Sequence, residues 1–361
     1  ATTAGQQVWV DSIQVDEGAT AGTFTTSAPP IVYRFDGYVD EWPLEWPGGG
    51  DSEATSTVTA LDLQSRVGRM RTFGSVIAET YALNAPLWHF PLSEAAGSTS
   101  AGDIRGTGRT LTQRQLGTGG ELTFASGTGP GTDGAGAPTF TPADQYNGLH
   151  LTGEVTARDF FATGQTLEAT FLTSAVAAQS IARWFDVWGT GVEIGTDATG
   201  RIAASFVNPW DTSDNRTVTS ANVYTDGRTH VAAATLALSG GSYTLRLFVD
   251  GVERGTAAAW STSDGIPMVL DRLDVGGGHW PRTLFTGTIS HVAAFREALS
   301  GATLLEHYAA NSTGFAGETS DERIERVWSW LGMPAELLDL DAGVATMGLL
   351  KIDFIWYMKK V

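Results

Sequence analysis

The sequence predicts a mainly β protein built on an antiparallel β-sandwich, with short helical segments before and after it. Three observations carry that expectation. Between Pro86 and about Ala310, short runs of alternating apolar and polar residues recur between clusters of Gly, Asp, Ser and Thr, the pattern of a two-sheet sandwich. One run, Leu245-Arg-Leu-Phe-Val249, ends on Asp250-Gly251, a dipeptide suited to the positive φ values of a two-residue hairpin turn. Of 361 residues, 42% are hydrophobic and 10% aromatic, enough to bury a core and too many for a disordered acidic chain.

The elements follow in order. Val8-Trp-Val-Asp-Ser-Ile-Gln-Val15, closed by Gly18 and Gly22, reads as one strand. Val10–Gly18 is similar to the closing strand of a carbohydrate-binding jelly roll, a resemblance that implies residues 1–30 are the terminal strand of a preceding β-sandwich. Residues 31–85 read as a small α+β segment. In it Ile31–Val39 is β-rich, Trp42-Pro43, Trp46-Pro47 and Gly48-Gly49-Gly50 interrupt it, and Thr55–Thr59 alternates as a strand. From Ala60 to Leu83 the spacing of Leu63, Val67, Met70, Val76, Ile77, Thr80 and Tyr81 is helical, ending before Asn84-Ala85-Pro86.

The sandwich is expected over residues 86–312. Its clearest strands are Leu167–Thr173, Arg201–Val207, His230–Leu238, Tyr243–Val249 and Thr286–Phe295. Gly117–Gly136, almost all small residues, reads as a surface loop. Residues 313–347 read as helical. Ser300 can cap a short helix presenting Leu304, Leu305 and Tyr308, and Thr319-Ser-Asp-Glu322 forms a capping box for a second. There Ile324, Val327, Trp328 and Leu331 would make one apolar face, stopped by Gly332 and Pro334. The tail 348–361 is atypical: it holds the three lysines, Lys351, Lys359 and Lys360, whereas every upstream cation is Arg. We expect it to derive from a different coding context, by frameshift or truncation.

Charge and composition exclude several function classes. A formal net charge of −18 offers no basic stripe for phosphates, so no nucleic acid partner is expected. No window approaches the roughly 18 consecutive apolar residues of a membrane helix, so no membrane insertion is expected. The absence of Cys excludes disulfides, thiolate zinc sites and thiol catalysis.

Catalytic constellations are scarce. There is no Gly-x-Ser-x-Gly elbow and no His-Glu-x-x-His. Glu41 and Glu45 flank Pro43 and read as solvated surface acids rather than a glycosidase pair. The six His (89, 150, 230, 279, 291 and 307) are scattered singly, without metal-ligand spacing; His230 and His291, in strand-like runs, are expected to be hydrogen-bonded. Arg105-Gly-Thr-Gly-Arg109 and Gly127-Thr-Gly-Pro-Gly131 do not stand between a strand and a helix, so neither reads as a phosphate loop. Asp197-Ala-Thr-Gly200 could hold Ca²⁺ or be a plain turn. We therefore expect no catalytic residues, no cofactor beyond a Ca²⁺ ion, and no enzyme.

Aromatic side chains are the remaining candidates, because sugars pair an apolar C–H face with hydroxyls that need polar partners. Trp210-Asp-Thr-Ser-Asp-Asn215 and His279-Trp-Pro-Arg282 offer that mixture on loops between strands. The candidate glycan contacts are Trp210, Asp211, Asn215, His279 and Trp280. The alternative is that these tryptophans seal the ends of the sandwich core. Trp184 and Trp188, with apolar neighbours, are expected in the core.

Gly227-Arg-Thr-His230-Val, Leu245-Arg-Leu-Phe-Val-Asp-Gly251, Phe285-Thr-Gly-Thr-Ile-Ser-His-Val-Ala-Ala-Phe295 and Ala298-Leu-Ser300 together resemble the laminin-G-like, concanavalin A-like jelly roll. Pro91-Leu92 and Gly102-Asp-Ile-Arg-Gly106 fit the opening of that fold. The flanks, Phe35-Asp-Gly-Tyr-Val-Asp-Glu-Trp-Pro-Leu-Glu-Trp46 and Asp321-Glu-Arg-Ile with Trp330-Leu-Gly-Met-Pro334 and Leu340–Thr346, are similar to minor tail proteins of actinobacterial phages. In those, a tail-hub segment is interrupted by a laminin-G-like insert. The resemblance implies a structural tail component in the virion, with residues 31–85 and 313–347 as hub elements. It also implies other phage tail proteins and host-surface carbohydrate as partners, and homo-oligomerisation through the hub. Rival readings are a secreted bacterial glycan-binding protein, a glycoside hydrolase or lyase fragment, and a sandwich that is a spacer without ligand.

Overall fold

Alternation along each strand puts apolar side chains on one side, and two sheets close over them. The computed structural model describes residues 73–130, 132–155, 164–261, 270–277, 283–335, 338 and 340–350, and the backbone of 37–41 and 59–62. The chain divides into two compact units. In the first, β1 (Gly37–Glu41) and β2 (Thr59–Asp62) pair antiparallel, with Tyr38 opposite Leu61. The helical spacing expected from Ala60 thus begins as strand. Residues 63–72 lie outside the described residues, as do those of the expected strand at 8–15.

The second unit starts with helix α1 (Val76–Ala82), capped where the Ser75 hydroxyl accepts from the Ala78 N–H at 3.1 Å. Its strands are β3 (Trp88–Phe90), β4 (Ser100–Gly102), β5 (Thr110–Leu116), β6 (Glu121–Thr128), β7 (Gly136–Thr141), β8 (Gly148–Glu154), β9 (Gly164–Leu172) and β10 (Gln179–Phe185). They continue with β11 (Gly191–Thr196), β12 (Arg201–Val207), β13 (Arg216–Val223), β14 (Thr229–Ser239), β15 (Ser242–Val249), β16 (Val252–Thr256), β17 (Arg272–Val275) and β18 (Gly287–Phe295). Helices α2 (Gly301–Ser312) and α3 (Ser320–Trp330) follow.

The pairings build two antiparallel sheets. Sheet I has the order β13-β12-β11-β10-β17-β8-β5-β4, and sheet II the order β16-β15-β14-β9-β18-β7-β6, with β3 also paired to β18. The expected sandwich is therefore formed. Asp250 (φ 55°) and Gly251 (φ 73°) make the two-residue turn between β15 and β16, with Val249 opposite Val252, as the dipeptide predicted. A Cβ on Gly251 would stand 2.6 Å from the Leu305 Cα, so only Gly lets α2 lie against this hairpin.

Trp88, Phe90, Phe140, Phe171, Trp184 and Phe206 are fully buried between the sheets. Trp88 and Trp184 meet edge to face at 5.6 Å and 84°. Each such side chain contributes about 3 kcal/mol through burial. The stretch expected as a loop at Gly117–Gly136 contains β6, whose Leu122 and Phe124 are buried. Two inward apolar residues two apart sufficed to pin it as a strand against β7.

A second core lies over the outer face of sheet II. Val76, Ile77 and Tyr81 of α1 and Val327 and Trp330 of α3 pack there with Phe248, Phe295 and Leu304. The expected apolar faces are rotated. In α2 the buried residues are Leu304, His307, Ala310 and Asn311, while Leu305 is exposed. In α3 they are Arg323, Val327 and Trp330. Polar residues replace apolar ones because each finds buried partners: Arg323 donates to the carbonyls of Phe315 and Gly348 and pairs with Glu318 at 2.9 Å. The capping box at Thr319 and Glu322 is formed.

Candidate functional site: an exposed tryptophan pair

Two neighbouring hairpins of sheet I end side by side, because β11 pairs with both β10 and β12. In the first, between β10 and β11, Asp186 Oδ1 accepts from the N–H groups of Trp188 (2.9 Å) and Thr190 (2.8 Å). Gly189, at φ 92°, completes the turn, and its carbonyl accepts from the Arg183 Nη2 at 2.6 Å. With its backbone tied inward, the turn presents Trp188 to solvent at 65% exposure. This corrects the expectation that Trp188 is core. Trp184, one strand turn earlier, is fully buried as expected, its Nε1 donating to the Leu270 carbonyl at 3.3 Å.

The second tip, between β12 and β13, is braced by its own polar side chains. Asn208 Oδ1 accepts from the N–H groups of Trp210 (3.1 Å) and Asp211 (3.3 Å), and Asn208 Nδ2 donates to Asp214 at 3.1 Å. Asn215 Oδ1 accepts from the Asn208 N–H at 2.6 Å. Asp211 caps the single 3₁₀ turn Thr212–Asp214, its Oδ1 accepting from the Ser213 N–H (2.9 Å) and hydroxyl (2.6 Å). Trp210 is 74% exposed, so it does not seal the core. Trp260 does that: it is buried against Tyr243 and Phe206, with the Arg216 guanidinium 5.0 Å from its ring centre.

The tips touch. A Cβ on Gly189 would come within 3.3 Å of Pro209, and the indoles of Trp188 and Trp210 lie 5.8 Å apart at 73°. They form an L-shaped apolar corner, with exposed Val187 beside it. Such a corner can take the C–H face of a pyranose on one ring and its edge on the other. Asp211 supplies a fixed anion: the Ser213 hydroxyl and N–H bonds hold its carboxyl below the usual carboxylate range, and its Oδ2 points to no partner among the described residues. The Asn215 amide nitrogen is likewise unspent among the described residues. His279 and Trp280 lie outside the described residues.

Residues 144–304 match the model of the family described as the concanavalin A-like lectin/glucanases superfamily, Laminin_G_3. The chain carries a concanavalin A-like jelly-roll domain. Similar solved structures include the binding domain of botulinum neurotoxin serotype G, at 11% identity over 65% of this chain and 53% of that one, with TM-score 0.40. A structure of botulinum neurotoxin type C, from work on its ganglioside-dependent cell entry, is 8% identical over 66% and 54%, with TM-score 0.46. The binding domain of Paraclostridial Mosquitocidal Protein 1 is 7% identical over 70% and 56%, with TM-score 0.43. The chain thus spans little more than half the length of these structures. No curated protein matches it.

Within the jelly roll, the other sequence candidates fall into structural roles. The Asp197 carboxylate accepts from Thr199 and Arg201 and closes a plain turn. Among the described residues no three His, Asp or Glu side chains converge as a metal site. His230 is held between Asp250 (2.8 Å) and Asp226 (3.0 Å); burial opposes its charge, but the two carboxylates raise its pKa. His291 is hydrogen-bonded to Asp133 and His89. On the face of sheet I away from the core, Glu193, Arg183 and Asp274 form one cross-strand row. Burial pushes Asp274 up to about 6, against the Thr152 hydroxyl bond and nearby arginines. Arg183 stands between the two carboxylates, and it and Asp274 are buried.

Proposed function

We propose that the domain is a non-catalytic glycan-binding module, with Trp188, Trp210 and Asp211 as its contact residues. The exposed, pre-braced tryptophan corner carries this reading. Exposed indoles at two braced tips lose little entropy on stacking against a sugar. Asn215 acts mainly by positioning the Trp210 tip. The row Glu193–Arg183–Asp274, with a guanidinium between its two carboxyls, is unlike a glycosidase pair, which needs two carboxyls facing a substrate across open space.

The likeness of the flanking segments to actinobacterial phage tail proteins supplies the setting. In this reading the chain is a structural tail component of the virion. It binds other tail proteins, oligomerises through the hub segments, and offers the jelly roll to host-surface carbohydrate. The test uses the full chain on a glycan array and on actinobacterial cell-wall preparations. Trp188→Ala and Trp210→Ala should each weaken binding by about tenfold or more, as loss of a central aromatic contact does. Absence of binding to every wall preparation, or binding unchanged in the double variant, overturns the reading.

A further inference from the structure

Independently of the tryptophan corner, the outer face of sheet II carries a buried polar cluster beneath α1 and α2. Glu168 of β9, fully buried, accepts from the Tyr81 hydroxyl (2.5 Å) and from His307 Nδ1 (2.8 Å). The Tyr81 ring is stacked between two imidazoles, His307 at 4.3 Å and His89 at 4.8 Å. Asn84, just beyond α1, lies 3.0 Å from His307 Nε2, and its amide can donate there while Nδ1–H serves Glu168. Beside Tyr81, His89 Nε2 meets His291 Nδ1 at 3.1 Å, and His291 Nε2 meets Asp133 at 2.5 Å. If His291 donates from Nε2 to Asp133, its Nδ1 is left to accept from His89.

The three histidines differ in one respect. His291 has Asp133 and His307 has Glu168 as a direct carboxylate partner. The His89 ring has none among the described residues: its backbone N–H donates to Asp103 Oδ1 at 2.9 Å, but the ring meets another imidazole. The charged and titratable groups facing the pair are Asp103 from the loop after β4, on the His89 backbone N–H, Asp133 from the loop between β6 and β7, Tyr81 from α1, Glu168 from β9 and His307 from α2. Arg105, from the loop after β4, acts at longer range.

We propose that the His89–His291 pair is an acid-sensitive latch, which holds α1 on the sandwich while His89 is neutral and releases it when His89 is protonated. With His291 neutral, a proton on His89 would bury a charge whose ring touches no carboxylate among the described residues: Asp133 is reached only through His291, and Asp103 meets only the His89 backbone N–H. Burial, then His291, His307 and Arg105, all oppose a proton on His89. The sign follows. The released form binds the proton near the ordinary histidine pKa of about 6.5, so the docked form is fully favoured above that pH and loses ground below it. Because Tyr81 is clamped between His89 and His307, the element that leaves is α1.

Hydrogen exchange of the full chain, corrected for intrinsic rates, tests this between about pH 7.5 and 4.5. Protection of the α1 amides should fall by up to about tenfold per pH unit below about pH 6.5, the slope of one linked proton, while β9 and β14 stay protected. His89→Gln keeps a donor toward His291 without titrating and should lower the release midpoint by a unit or more. Asp133→Asn removes the carboxylate that offsets charge on the pair and should raise it. The latch is overturned if wild-type α1 opens only together with β9 and β14, an outcome readable even if a variant fails to fold. A midpoint unmoved in both variants overturns it as well.

Discussion

His150 on β8 and Asp274 on β17 are buried in adjacent strands of sheet I and titrate in opposite senses. Burial lowers His150 to about 4, helped by Arg114, and raises Asp274 to about 6. For His150 the native state prefers the neutral ring, so its contribution is complete above about pH 6.5 and is lost as pH falls through 4. For Asp274 the native state prefers the protonated carboxyl, so its contribution is complete below about pH 3.8 and is lost as pH rises through 6. Each is worth about 3 kcal/mol at the scale of 1.36 kcal/mol per pKa unit, and over the shared window they oppose each other. Asp274→Asn should therefore steepen the loss of stability between pH 6.5 and 4, relative to wild type, and His150→Gln should reverse the change. Denaturant unfolding at those two pH values measures both; variant slopes equal to the wild-type slope would remove the pair as the cause. Single residues of this kind were poorly legible in the sequence. Trp184 and Trp188 share apolar neighbours, yet Asp186 and Gly189 make a turn between β10 and β11 that puts one in the core and the other in solvent. The Asp-x-x-Gly spacing was the signal that could have separated them.

At the scale of elements, periodicity located helices and strands but misjudged which face they bury. The apolar pattern of α3 pointed to Ile324 and Trp328, whereas Arg323 occupies the buried side with Val327 and Trp330. A hydrophobic count cannot register a cation that satisfies two carbonyls and pairs with Glu318. Nor could it see that α2 would turn His307 and Asn311 toward Glu168 and Thr170, since those partners lie more than a hundred residues away. Arg323→Ala leaves the Phe315 and Gly348 carbonyls without that donor and Glu318 with only Arg326. It should cost about 3 kcal/mol in chemical denaturation, with exchange protection lost first in α3. Glu318→Gln keeps an acceptor and should cost less than half as much. Equal costs would mean that the ion pair, rather than the two carbonyl bonds, fixes the helix.

For the whole molecule, the fold class was legible because alternation, the Asp250-Gly251 turn and the strand spacing all express sheet geometry, which tolerates many side-chain choices. The site was only half legible, because its aromatic corner depends on two hairpin tips coming together at one end of sheet I. The molecule's charge now bears on that site. A chain at −18 with ionised Asp211 beside Trp210 repels anionic sugars over about 10 Å at 0.1 M salt. Stacking on indole is not Coulombic between charges and is little screened. If the corner holds a neutral glycan, its affinity should change by less than about twofold between about 0.05 and 0.5 M salt. Uronic-acid or sialylated glycans should bind more weakly, and gain affinity as salt rises. Titration calorimetry of the full chain with matched neutral and acidic oligosaccharides reads both trends. A steep loss of affinity with salt would mean that charge pairing holds the ligand, and the tryptophan corner would then lose its place as the principal contact.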